Sequence, residues 1–290
     1  MRCDLHVHTI HSGMCTVPVA RHFCRESYNT PAAVYEKLKL CGMDLVTITD
    51  HDSIDAAESL RQHPDFFLSE EATCRMPSGR EVHIGIYGIT EGQHIEIQRR
   101  RDDFYSLLGY VNEQRLLFSI NHLLSALTGP RDASDFIWFE SVFPCMETQN
   151  GAMPARTNRL AADLAARMGK SPIGGSDAHT MRGVGSAFTI APGARNRDEF
   201  LQAIRAGKGI VQGESGGFSN LTCDVWSICA GMMKESPWTA ALAPLLAAVP
   251  AVILVNCLVE ALFAKTWFDR IISVRKEGFS ASWDTEKVSA

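Results

Sequence analysis

Short apolar, β-branched runs alternate along the chain with longer segments whose apolar residues recur at helical spacing. Residues 45–49 form a β-branched run that is typical of a strand. Residues 157–168 are rich in Ala and Leu and are followed by Gly169, which predicts a helix and its end. Thr30 and Pro31 predict another helix start, because threonine caps helices and proline is favoured at the first helical position.

Strands that alternate with helices indicate a parallel sheet, either open or closed into a barrel. Polar residues follow several of these strands directly, and in a (β/α) barrel the carboxyl ends of the strands form the face that carries the active site. The pattern therefore predicts an α/β fold with its site at those ends. The predicted strands are residues 3–8, 45–49, 66–68, 81–89, 116–120, 145–148, 172–175 and 187–190.

The C-terminal part of the chain has a different pattern. Residues 239–259 contain no charged side chain, and about 20 such residues can span a bilayer. Pro244 and Pro250 interrupt the stretch. Residues 238–264 are therefore predicted to form either a membrane segment or a buried or dimer-forming helical hairpin, and the sequence favours neither. The chain is accordingly divided into a domain at residues 1–215 and a C-terminal helical extension at residues 216–290.

Composition adds little beyond excluding some classes. The net charge of −5 gives no reason to expect bulk attraction to nucleic acid or to a membrane surface. The nine cysteines are odd in number and form no C-x-x-C pair, which is typical of reduced thiols rather than of a disulfide framework or a zinc ribbon. Because Asp4 and His6 come too early for a secretory signal, we expect a cytoplasmic protein.

Candidate metal ligands occur in pairs at the predicted strand ends. His6 and His8 are two residues apart in a predicted strand, so both imidazoles point to the same side. Asp177 and His179 repeat this spacing after another strand. Each pair alone is a weak signal, and surface or core histidines are the ordinary alternative.

Further candidates are Glu71, His83 and His122, together with His51, which lies between Asp50 and Asp52 at the end of a predicted strand. Imidazole and carboxylate ligands together suit Zn²⁺, Mn²⁺ or Fe²⁺ better than Ca²⁺. At least seven candidates exceed the needs of one four-coordinate ion. Two or three clustered divalent ions fit better, and such clusters suit displacement at phosphorus.

These motifs together resemble the PHP (polymerase and histidinol phosphatase) family over roughly residues 2–212. The resemblance implies a distorted (β/α)7 TIM-like barrel with up to three metal ions. It is carried by Asp4-Leu5-His6-Val7-His8-Thr9, Ile48-Thr49-Asp50-His51-Asp52, Glu71-Ala72-Thr73, Glu81-Val82-His83 and Gly175-Ser176-Asp177-Ala178-His179.

The resemblance also implies an assignment of ligands. The first ion would be held by His6, His8, Glu71 and Asp177. Glu71 would bridge to a second ion held with His83 and His122, and the third ion would be held by His51 and His179. Glu71 is preferred over Glu70 because Glu71-Ala72-Thr73 matches the Glu-x-Thr register of the family.

One position departs from the family pattern. Many members have an acidic residue or a histidine shortly after the H-x-H motif, and Gly13 stands at the acidic position here. His11 is a candidate substitute. The third ion is therefore an open question at this stage, and two-metal chemistry is the alternative.

By resemblance, the activity is hydrolysis of a phosphate ester of a small molecule or nucleotide by a metal-activated water. Asp50 or His179 would relay protons. Arg156 and Arg182 are candidate phosphate clamps, with ordinary surface arginines as the alternative.

Three other functions stay open. They are a regulatory PHP module tethered by the apolar extension, a 5′–3′ exonuclease acting on short oligonucleotides, and another metal hydrolase such as an amidohydrolase. The low positive charge disfavours long nucleic acid as substrate. The carboxylated lysine usual in amidohydrolases has no counterpart at a predicted strand end.

Overall fold

The computed structural model describes residues 1–276, so residues 277–290 of the predicted extension lie outside the described part. The strands are β1 (Arg2–Cys3), β2 (Ser69–Arg75), β3 (Glu81–Tyr87), β4 (Leu117–Ile120), β5 (Cys145–Asn150), β6 (Ser171–Gly175), β7 (Ala187–Ile190) and β8 (Ile210–Gly213). The helices are α1 (Pro31–Leu40), α2 (Ala57–Leu60), α3 (Glu91–Arg100), α4 (Phe104–Glu113), α5 (Phe136–Ser141), α6 (Ala155–Met168), α7 (Arg197–Arg205), α8 (Phe218–Glu235) and α9 (Val249–Lys276). Short 3-10 helices lie at Ile10–Ser12, Ala20–His22, Ala133–Asp135 and Pro237–Ala248.

The larger sheet has five strands in the order β2-β3-β4-β5-β6. Only β4, β5 and β6 are parallel, and β2, β3 and β4 pair antiparallel, so the prediction of a parallel sheet is wrong for half of it. The reason at β2 and β3 is a tight turn, in which the Met76 amide donates to the Arg80 carbonyl and Gly79 has a φ of 81°. Strands joined by so short a turn pair antiparallel.

The smaller sheet, β1-β7-β8, is antiparallel, and neither sheet is closed within residues 1–276. The predicted strands 45–49 and 66–68 are irregular, and so is 3–8 apart from Cys3 in β1. In 3–8 the cause is that side chains accept hydrogen bonds from the backbone amides. The Val7 amide donates to Thr49 Oγ1, and the His6 amide donates to Asp4 Oδ1. Isolated bridges remain, such as Val7 with Ala178. The structure is thus a mixed α/β fold, and a closed (β/α)7 barrel stays a prediction.

The C-terminal half of α9 packs into the main core. Ala264 and Ile271 are fully buried, and the Trp267 ring lies 5.5 Å from the ring of Phe136. Glu260 on the same helix is buried and accepts a hydrogen bond from the Ala126 amide. Thus the end of the extension is integrated into the fold.

The preceding part of the extension is apolar and exposed. Residues Pro237–Arg275 form one helical stretch that is long and apolar enough to cross a membrane, with a mean hydropathy of 2.4 in its most apolar window. Only 6% of that window is buried. Leu258 and Leu262, for example, are 58% and 68% exposed. The chain by itself therefore does not bury this stretch as a hairpin.

Candidate metal centre

Glu71 lies at the centre of a cluster of histidines. It is fully buried on β2, and its Oε2 lies 3.1 Å from His6 Nε2, 3.4 Å from His8 Nε2 and 3.3 Å from His51 Nδ1. Alternate residues of a strand point to opposite faces, so Glu70 points away and instead accepts hydrogen bonds from His94 and Gln98. The structure thus brings Glu71, and not Glu70, into the cluster.

The other oxygen of Glu71 faces a second set of side chains. Oε1 lies 3.2 Å from His122 Nε2 and 3.5 Å from His83 Nδ1, and it accepts a hydrogen bond from Asn121. Thr73 of β2 pairs with His83 of β3, which puts the imidazole on the same face as Glu71. The two oxygens of one carboxylate therefore point to two separate groups of nitrogen atoms.

Asp177 closes the first group. Its Oδ1 lies 3.5 Å from His6 Nε2 and 3.4 Å from His8 Nε2. Its Oδ2 accepts a hydrogen bond from the side-chain Nδ2 of Asn150. Asp177 has a φ of 50°, a left-handed conformation that is uncommon outside glycine and concentrates at functional sites. The distances that join these nitrogens to the oxygens of Asp177 and Glu71 are close to ~3.4 Å, the ligand separation in a tetrahedron with bonds of about 2.1 Å.

Gly175 allows His6 to reach this position. A Cβ atom on Gly175 would lie 2.3 Å from the Cβ and 2.4 Å from the amide nitrogen of His6, which is far inside contact distance. The small residues before Asp177 therefore make room for the segment that carries the first two histidines.

Hydrogen bonds fix the orientation of both rings. His6 Nδ1 donates to Glu147 Oε1 at 2.7 Å. His8 Nδ1 donates to Ser12 Oγ at 2.9 Å, because the Ser12 hydroxyl itself donates to Asp50. Each ring therefore turns its Nε2 towards the carboxylate oxygens. Metal-binding histidines are commonly oriented in this way, by a hydrogen bond from the ring nitrogen that does not bind the metal.

The balance of charges around these rings favours a bound cation or proton. Burial lowers the pKa of His6, but the carboxylates of Glu71, Asp177 and Glu147 raise it, and the net pKa lies well above the ordinary value. Burial alone would raise the pKa of Glu71. The neighbouring histidines lower it by more than this, so the net pKa lies well below its ordinary range. Without metal, a proton is favoured on His6, and a divalent ion would displace it.

Several buried ring nitrogens have no hydrogen-bond partner, although such atoms are costly when left unpaired. A divalent ion satisfies an imidazole lone pair, so the donor set fits metal ions of the Zn²⁺, Mn²⁺ or Fe²⁺ type. The unpartnered atoms are His8 Nε2, His51 Nδ1, His83 Nδ1, His122 Nδ1 and His179 Nε2. Ligand atoms of four triplets lie within 4.8 Å of one another, namely His6-His8-Asp177, His6-Glu71-His122, His51-Glu71-His83 and His8-His51-His179.

Comparison with known proteins finds one family model and several solved structures that are similar to this chain. A family model described as PHP-associated matches residues 155–208, which include β6 and Asp177. Over this segment the match supports the resemblance to the PHP family. None of the curated proteins matches it significantly.

The solved structure of PsfC from Pseudomonas syringae PB-5123 is similar, with a TM-score of 0.54 and 16% identity over 81% of this chain and 98% of that chain. It shows that the two proteins share a fold.

Two further solved structures are more distant. A proposed metal-dependent phosphoesterase from Bifidobacterium adolescentis has a TM-score of 0.44 and 15% identity, over 71% of this chain and 96% of that chain. An amidohydrolase from Chromobacterium violaceum has a TM-score of 0.47 and 14% identity, over 73% of this chain and 97% of that chain.

Sequence reasoning missed four residues that position the candidate ligands. Glu147 also accepts from the His122 amide and from Asn150, so it connects two elements that carry ligands. Glu147 lies within the predicted strand 145–148. The alternation of side chains between the two faces of that strand was the signal that could have placed it towards the site. The missed residues are Ser12, Asn121, Glu147 and Asn150.

Asp50 does not face the cavity of the centre. Its carboxylate accepts from the Thr9 amide, the Thr9 hydroxyl and the Ser12 hydroxyl, and it is fully buried. Asp50 therefore positions His8 through Ser12, and any proton that it relays must pass through both side chains.

The two predicted phosphate clamps differ in position. Arg182 lines a cavity of about 940 Å³ next to His179, and its guanidinium donates to Asn220. Arg156 lies exposed in the first turn of α6 and lines neither this cavity nor the one of about 490 Å³ that contains Glu71. The structure thus brings only Arg182 near the centre.

Proposed function

We propose that the protein hydrolyses a phosphate ester of a small molecule or nucleotide, using two or three divalent ions such as Zn²⁺, Mn²⁺ or Fe²⁺. The observation that supports this most is the position of Glu71, whose two oxygens face separate histidine groups. One carboxylate placed in this way would hold two ions together with the histidines on either side of it, and paired ions of this kind supply the chemistry of phosphate-ester hydrolysis.

When bound, such ions activate water and stabilise the charge that develops on phosphate oxygens. The chain's own residues hold the centre in place. Glu71 and Asp177 would hold the ions together with the histidines, and Glu147 and Ser12 orient the rings of His6 and His8.

His179 lines the cavity of the centre with its side chain partly exposed. Burial and the nearby His8 lower its pKa to about 4, so the ring is neutral at pH 7. Nε2 can therefore accept the proton that an attacking water loses, or bind an ion, but it cannot do both at once.

The surroundings suit a small substrate. The cavity of about 940 Å³ beside His179 lies within the size range of small-ligand sites, and Arg182 and Lys234 on its lining are suited to an anion. The net charge of −5 offers no extended basic surface for long nucleic acid. A short oligonucleotide is still compatible with this space, so exonuclease activity stays an alternative.

Two other classes are less well supported. A regulatory module without activity is expected to have lost ligands, whereas this chain retains the cluster around Glu71. A carboxylated-lysine amidohydrolase needs a lysine at the metals, and within the described chain no lysine lines the cavity that contains Glu71.

The direct test is phosphate release from a panel of phosphomonoesters and short oligonucleotides with added Mn²⁺ or Zn²⁺. We expect turnover that depends on metal and is lost in Asp177→Ala. Turnover on oligonucleotides alone would favour the exonuclease alternative.

We further propose that the exposed apolar stretch lies on a lipid surface, at the cytoplasmic face of a membrane. Glu260, Trp267 and Ile271 fix the end of α9 to the domain, so the helix cannot leave it to cross a bilayer without breaking these contacts. A helix that is apolar on both sides can pack one side on the protein and place the other in lipid. All nine cysteines are free thiols, in keeping with a reducing compartment.

Replacing Val255, Leu258 and Leu262 together with lysine is expected to reduce binding to lipid vesicles by at least ~10-fold, because three exposed apolar side chains would no longer enter the lipid. Flotation of the full chain with vesicles of mixed neutral and anionic phospholipid measures this. Leu40→Lys on α1, also exposed, is the matched control. A wild-type chain that stays unbound and sediments as a dimer would instead identify the stretch as a dimer interface.

A further inference from the structure

The predicted third ion lacks a carboxylate among the ligands taken from the sequence. His179 Nδ1 donates to the Asp177 carbonyl at 3.1 Å, so Nε2 carries the lone pair. Nε2 is buried and has no hydrogen-bond partner. His51 lies on the other side of His8, with ring centroids 4.7 Å apart. Imidazoles alone leave the two charges of an ion uncompensated.

The loop after the H-x-H segment brings a distant acid to this place. Met14 and Arg25 form an antiparallel bridge, and the Cys15 amide donates to the Cys24 carbonyl at 3.0 Å. The Glu26 amide then donates to the Gly13 carbonyl at 3.1 Å. The loop therefore folds back so that Glu26 lies directly beside the glycine that stands at the expected acidic position.

The Glu26 carboxylate points towards the two histidines. Oε2 lies 3.5 Å from His51 Nε2, and Oε1 lies 3.8 Å from His179 Nε2. His179 Nε2 and Glu26 Oε1 are both hydrogen-bond acceptors, because the proton of His179 is on Nδ1. Two lone pairs that face each other repel unless a proton or a metal ion lies between them. The separations are near the ~3.4 Å of neighbouring ligands in a tetrahedral site, so a metal ion fits this position.

We infer that Glu26 is the carboxylate ligand of a third divalent ion, held with His51 and His179, and that it replaces the acid absent at Gly13. The inference rests on the metal centre of the proposed function. His8 belongs to the first ion, because its Nε2 lies 3.4 Å from both Glu71 and Asp177. Three protein ligands leave a position open towards the cavity for water or substrate.

His11, the substitute considered from the sequence, is placed elsewhere. Its amide donates to Thr9 Oγ1, and its side chain lines the outer cavity together with Arg25 and Tyr28. Among residues 1–276, neither His11 nor Glu26 belongs to a triplet whose ligand atoms all lie within 4.8 Å of one another. Glu26 differs from His11 because its carboxylate lies 3.5 Å from His51 Nε2 and 3.8 Å from His179 Nε2. Glu26, and not His11, therefore completes the third group.

The test counts the Mn²⁺ ions bound per full-length chain, by equilibrium dialysis at saturating Mn²⁺ and mass-spectrometric metal analysis. We expect three ions in the wild type and two in Glu26→Gln. His179→Gln is expected to lose the same single ion, and the double variant no more than either alone. His11→Ala and Glu36→Gln, a surface change on α1, are expected to keep three.

Equal numbers of ions in wild type and Glu26→Gln, or loss of an ion in His11→Ala, would overturn the inference. A thermal melt of each variant shows whether it folds, and His179→Gln gives a second test of the same ion if Glu26→Gln does not. Because ions are counted without substrate, the result is separate from activity. If Glu26→Gln loses one ion but the wild type releases no phosphate from any ester, the assignment of Glu26 as a ligand stands and the phosphoesterase proposal is refuted.

Discussion

Glu71→Gln is expected to lower metal-dependent phosphate release by more than ~100-fold and to reduce the bound metal. Loss of a residue that only orients a ligand costs about 10–100-fold in metal affinity or activity, so loss of a carboxylate that contacts both ion positions should cost more. A glutamine keeps the shape of the side chain but offers one neutral oxygen, and its amide nitrogen would face buried imidazoles. Metal analysis and phosphate release on the same sample measure both effects.

The adjacent residue provides a matched control. Glu70 is buried on the same strand but hydrogen-bonds His94 and Gln98 on the opposite face of the sheet. Glu70→Gln should therefore keep its metal and most of its activity, even if the fold is somewhat less stable. Equal losses in both variants would mean that burial of a carboxylate on this strand, and not metal binding by Glu71, accounts for the effect.

Trp267→Ala is expected to destabilise the protein by about 3–5 kcal/mol, as large-to-small changes of buried aromatic residues do. Trp267 is only 9% exposed and packs edge-on against Phe136 and beside Phe263 in the main core. Urea unfolding followed by circular dichroism measures the change. The size of the effect bears on the domain organisation, because it would show that residues after 215 stabilise the domain before them.

Leu262→Ala on the same helix is the control for that experiment. Leu262 is 68% exposed, so its truncation should change the unfolding free energy by less than about 0.5 kcal/mol. If Trp267→Ala were equally mild, α9 would be a detachable appendage and not part of the core.

The sequence predicted those features of the fold that depend on local patterns. Helix α1 begins at Pro31, and Thr30 Oγ1 accepts from the Ala33 amide, as the threonine-proline pair indicated. The same reasoning assigned a regular strand to 3–8, where the side chains of Asp4 and Thr49 instead accept hydrogen bonds from the His6 and Val7 amides. Such competition depends on which segments meet in space, and a local pattern does not contain that information.

A similar division holds for the candidate site. The spacing of His6 and His8, and of Asp177 and His179, was visible because each pair lies within three residues. Glu26 was not visible, because a fold-back of the loop brings it beside Gly13. Residues that reach a site through tertiary contacts carry no periodic signal. Glu71 was preferred over Glu70 from the Glu-x-Thr register of the family, because the predicted strand 66–68 ends before both residues.

The extension also contacts the centre indirectly. Glu260 accepts hydrogen bonds from the Ala126 amide and the Ser125 hydroxyl, in the loop that follows His122. Burial raises the pKa of Glu260, and these donors lower it, with a net increase. Helix α9, which carries the exposed apolar face, therefore also holds the loop that follows the candidate ligand His122. This contact connects the proposed lipid-binding surface with the proposed metal centre.

The most direct test of the central claim is phosphate release from a panel of phosphomonoesters by protein that is shown to carry Mn²⁺ or Zn²⁺, compared with Asp177→Ala. We predict turnover of at least one ester, its loss when the metal is removed by chelation, and its loss in the variant. Metal-loaded protein that releases no phosphate from any ester, or releases it equally with and without Asp177, would contradict the account.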